Sequence, residues 1–143
     1  MFADSLLRAE QIHLFRLLVW GAASVLAGTL MFVAVAWRRS PTALLRQFAI
    51  QLAAWGAVEV LYAVLTAWHG LALRDVAGAM RLDRHLWFSL GLAVGGVGIG
   101  STLVALGAMR ERRFGLVGAG MAVILQSLAI FLINARLAAL ISR

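Results

Sequence analysis

FAIQLAAWGAVEVLYAVLTAWH, residues 48–69, is an apolar run with a single acid, Glu59, about ten residues from either end. A helix needs about 20 apolar residues to cross a bilayer, so this run is long enough to span one. A carboxylate at such depth costs roughly 3 kcal/mol on insertion scales, which predicts that Glu59 faces protein or water and not lipid. The polar and aromatic residues around it keep helical spacing: Gln51, Trp55, Glu59, Tyr62 and Thr66 follow at steps of four, four, three and four. Ile50, Ala54, Ala57, Val58, Leu61 and Leu65 form the opposite, wholly apolar face. The stretch therefore reads as a membrane helix with an inside and an outside.

Three further runs of the same kind lie at 13–37, 85–109 and 114–137. Of the 143 residues, 63% are hydrophobic and only 13% charged, with a mean hydropathy of +0.93. Such a composition excludes an ordinary soluble domain. The expected fold is all-α: a polytopic four-transmembrane-helix bundle forming one domain over 1–143, with a short interfacial helix between spans two and three. The 13 basic residues, all arginine, exceed the six acids. They gather at the ends of the apolar runs, where they suit lipid headgroups and topology signals, so nucleic acid is not an expected partner. Without cysteine there is no disulfide, thiol nucleophile or thiolate metal site.

Residues 1–11 mix Phe2, Leu6 and Leu7 with Asp4, Arg8 and Glu10, a pattern expected to form an interfacial helix and not a cleaved signal peptide. Arg16 stands one turn inside the first span, within reach of the headgroups. Gly21, Ser24 and Gly28 line one face there and allow a neighbouring helix to approach. The turn Arg38-Arg39-Ser40-Pro41 ends that span, and Arg110-Glu111-Arg112-Arg113 joins the last two. Between spans two and three, residues 70–84 alternate apolar and charged positions irregularly, the pattern of a helix lying on the membrane surface. The third span is rich in glycine; Gly91 with Gly95, and Gly96 with Gly100, have the four-residue spacing of close helix contacts. Arginine in the short loops, at positions 38, 39, 46, 110, 112 and 113, predicts that both termini lie outside the cytoplasm.

Two constellations are candidates for chemistry. Glu59, Gln126 and Ser24 each lie near the centre of a span, so alternating helices bring them to a common depth. There Glu59 either holds a proton and donates a hydrogen bond that fixes helix register, or, with Trp55 and Tyr62 beside it, binds a cation or carries a proton. A third reading pairs it with a partner subunit. His13, His69 and His85 stand at span ends that alternating helices place on one side of the membrane. Imidazoles there are potential ligands for a metal, haem or a chlorophyll-type pigment, although Trp68 and Trp87 nearby also fit an ordinary aromatic belt. Otherwise no cofactor is expected, and no hydrolase, metalloprotease or phosphate-loop motif occurs.

Residues 48–62, together with 115–134 (a glycine start, then Gln126, then a polar end at Asn134), resemble a family of small four-helix bacterial membrane proteins with no assigned function. The resemblance implies the helix count and no activity. The small multidrug transporters share this size and one membrane acid, but theirs lies in the first helix, whereas Glu59 is in the second. The expected function is a non-enzymatic accessory or structural subunit of a larger membrane complex, partnered by lipids and by other subunits or further copies. The alternative is a small proton-coupled transporter or ligand-binding protein that uses Glu59.

Overall fold

The computed structural model describes residues 2–38, 42–69, 75–109 and 113–141. They form four helices: α1 (Phe2–Trp37), α2 (Ala43–Trp68), α3 (Val76–Met109) and α4 (Phe114–Ile141). All four are long and apolar enough to cross a membrane, which marks the chain as a membrane protein. The basic turns at 39–41 and 110–112, and the start of the linker at 70–74, lie outside the described residues.

Two expected surface helices are helical but are not elements of their own. The N-terminal segment runs straight into the first span as α1, and residues 76–84 are the first turns of α3. The reason is local. Asp75 caps α3, its Oδ1 accepting the Gly78 amide at 2.7 Å, and no proline or glycine pair follows to break the helix before the apolar run.

The helices pack as two hairpins. In the first, Gly21 of α1 and Gly56 of α2 meet reciprocally: a Cβ at Gly21 would stand 2.8 Å from the Gly56 carbonyl oxygen, and one at Gly56 2.7 Å from that of Gly21. Gly100 of α3 and Gly120 of α4 repeat the device at 2.8 and 2.5 Å. Lipid tails are as apolar as leucine, so membrane helices gain from backbone approach and van der Waals contact, and small residues at the crossing make that contact close. The hairpins join where α2 lies on α4, with α1 also touching α4. Among the described helices α3 touches α4 alone.

Inward on α2 are Ala49, Leu52, Gly56, Glu59 and Ala63. This corrects the face expected from Gln51, Trp55, Glu59, Tyr62 and Thr66: Glu59 is shared by both rows, but Trp55 and Tyr62 are exposed and Gln51 and Thr66 half-buried. Small side chains, not polar ones, define the inner row, because α1 and α4 press on it. The third span divides similarly. Gly96 and Gly100 pack on α4, against Ser127 and against Gly120 with Ile124, whereas a Cβ at Gly91, Gly95 or Gly98 would meet nothing within 4 Å. The contact expected of Gly91 and Gly95 is therefore not made among the described residues. Gly28 packs on Ala49 and Ala53 of α2.

Candidate functional site

A cavity of about 350 Å³ lies in the half of the bundle where α1 and α3 begin and α2 and α4 end. Its polar lining comes from all four helices: His13 from α1, Glu59 and Tyr62 from α2, His85 and Ser89 from α3, and Asn134 from α4. Leu17, Val58, Leu86, Leu92 and Ile130 supply much of the apolar remainder. Both α2 and α3 line it, and among the described residues these two consecutive helices leave a gap between them. The gap follows from the packing, since α3 is held by α4 and α2 is occupied by α1 and α4.

Glu59 sits at the cavity wall with 5% of its surface exposed. Its Cβ lies against Gly21, where an added methyl would come within 3.0 Å, so the backbone of α1 closes over the base of the side chain. Among the described residues neither carboxylate oxygen has a hydrogen-bond partner. A buried polar group normally finds one, and leaving it without costs roughly 1–3 kcal/mol. In the same lining, His13 Nδ1 is buried and has no hydrogen-bond partner among the described residues. Asn134, by contrast, is held: its Nδ2 donates to Ser89 Oγ at 2.7 Å, tying α4 to α3 along the wall. Trp55 and Tyr62, 42% and 46% exposed, flank the lining from the lipid side.

The central polar set separates. Gln126, 2% exposed, accepts the Trp20 indole N–H on Oε1 at 2.6 Å and donates from Nε2 to the Leu52 carbonyl at 3.3 Å. It links α1, α2 and α4 two turns of α2 away from Glu59, not to Glu59 itself. Ser24 is buried against Gly56, and Gln51 lies half-buried outside the cavity. Gln126→Leu should therefore weaken the bundle by about 1 kcal/mol, a usual size for an interhelical hydrogen bond in a membrane; titration of the micellar protein with dodecyl sulfate measures it. Of the histidines, His13 and His85 share the cavity, while His69 is an exposed C-cap of α2 whose amide donates to the Leu65 carbonyl. Among the described residues no three of His, Asp and Glu come together as a metal site.

The model of a family described as a family of unknown function (DUF6992) matches residues 16–135. The chain belongs to that family. Glu59, His85, Ser89, Gln126 and Asn134 fall inside the matched segment of this family member, and His13 just before it. No curated protein matches significantly, and no solved structure does.

Three contributors to the site were not read from the sequence. Ser89 and Asn134 gave no periodic signal as a pair, because they lie on helices whose relative rotation is fixed only by packing. Gly56, which lets α1 close over Glu59, had a signal: it is the one glycine between residues 48 and 69.

Proposed function

We propose that this family member is a non-enzymatic membrane protein that binds a small organic cation in the cavity, with Glu59 as counter-charge. One observation carries the reading: a buried carboxylate with neither oxygen hydrogen-bonded among the described residues, at the wall of a cavity large enough for a ligand. Ligand sites run about 300–1,000 Å³, so the volume suits a small amine. A buried charge is offset by an opposite charge at contact distance, and the faces of Trp55 and Tyr62 add attraction for a cation. A proton entering the same site competes with the cation for the carboxylate, which is the coupling a proton-linked transporter needs. Titrating the purified protein with a lipophilic quaternary ammonium compound, followed by tryptophan fluorescence, should give saturable binding that Glu59→Gln lowers at least tenfold. Equal binding by both forms refutes the reading.

A second reading, an accessory subunit in a larger complex, is favoured by the outer face of α3. Gly91, Gly95 and Gly98 there are open to a helix from outside. Gly95→Cys, labelled with a thiol-reactive reagent that carries a photoactivated diazirine, should then capture a neighbouring chain when native membranes are illuminated; only monomer after illumination removes this reading. For the membrane we propose the bacterial inner membrane with both termini outside the cytoplasm, on the arginines of the 38–46 and 110–113 turns.

A further inference from the structure

Apart from the Glu59 cavity, and sharing no lining residue with it, a groove of about 500 Å³ runs between α1 and α4. Two cations stand at its mouth, Arg16 of α1 and Arg136 of α4. Because α1 begins and α4 ends on this side, both guanidinium groups lie close to the ends of their spans, within reach of the headgroup layer. From there the groove descends about 10 Å, the rise of the seven residues from Arg16 to Ala23. Phe15, Val19 and Leu132 wall it, and Ala23 and Ala129 keep its deep end open. Among the described residues no carboxylate lines it, and the one further polar side chain among them, the Trp20 indole, already donates to Gln126.

We infer that this groove binds one anionic phospholipid, its phosphate between Arg16 and Arg136 and an acyl chain lying along the apolar floor. The charge pattern selects the class. Two cations without a compensating acid attract a phosphodiester and disfavour the ammonium of a zwitterionic headgroup. The apolar depth below them has no use for a free phosphate, but fits a hydrocarbon chain. The inference is independent of Glu59, whose cavity shares none of these residues.

Native mass spectrometry of the detergent-solubilised chain tests it, with phosphatidylglycerol and phosphatidylcholine of identical acyl chains and with glycerol 3-phosphate as a chainless competitor. Phosphatidylglycerol should be retained at about tenfold lower concentration than phosphatidylcholine, and glycerol 3-phosphate should not displace it. The double variant Arg16→Gln/Arg136→Gln should lose the preference, while Arg46→Gln/Arg113→Gln, with the same charge change at the opposite end, should keep it. Ala23→Phe, at an exposed position, should weaken retention with both arginines intact, which tests the groove without touching the charges. No preference in the parent chain, a preference that survives the Arg16/Arg136 change, equal loss in both double variants, or displacement by glycerol 3-phosphate would each overturn the inference.

Discussion

Gly118→Ala should part α2 from α4 and cost about 2–3 kcal/mol, the upper end of what forced overpacking does. A Cβ at Gly118 would fall on the Leu44 carbonyl, inside van der Waals contact with its oxygen and carbon. Those atoms belong to a helix backbone, so no side-chain rotation relieves the clash and the helices themselves must separate. This seam joins the hairpins, so the loss falls on the whole bundle. Gly95→Ala is the matched control: its Cβ meets nothing within 4 Å, and alanine is the better helix former by up to about 1 kcal/mol. Unfolding of both variants by dodecyl sulfate, followed by tryptophan emission, separates them. Equal midpoints would show that the α2–α4 contact is not as close as described.

Glu59→Leu should do the reverse, stabilising the empty protein by about 1–3 kcal/mol while abolishing cation binding. Leucine fills a similar volume, keeps the Cβ packed under Gly21, and removes two buried oxygens that have no hydrogen bond among the described residues. Glu59→Gln should lose binding without that gain, because an amide in the same place still needs partners. The pair separates two roles for the acid. If it serves to fix helix register, Glu59→Leu unfolds at lower denaturant than the parent; if it serves a ligand, it unfolds at higher.

The helix number and the inward place of Glu59 were legible because hydrocarbon imposes them: span length and the cost of a charge leave few alternatives. Rotation about each helix axis was less legible. On α2 the polar row misled, since Trp55 and Tyr62 are comfortable at a lipid-facing surface and need no interior. On α3 two glycine rows interleave, one through Gly91 and Gly95 and one through Gly96 and Gly100, and spacing alone does not say which of them meets α4. The partner decides, through Gly120 and Ile124. The cavity belongs to the same class of fact. His13, Glu59, His85 and Asn134 lie between positions 13 and 134 of a chain whose periodicity describes each helix singly, and they meet only through the crossing angles.

The reciprocal glycines have a consequence for biosynthesis. Gly21 with Gly56, and Gly100 with Gly120, each close a hairpin whose two helices are neighbours in sequence. Each hairpin can be completed as it leaves the ribosome, its backbone satisfied and its seam closed before the other is made. The last event is then lateral: two finished halves meet in the bilayer along α2 and α4, with Gly118 as the point of entry. Crowding at that residue would halt assembly late, leaving both hairpins inserted and the Glu59 cavity without its opposite wall.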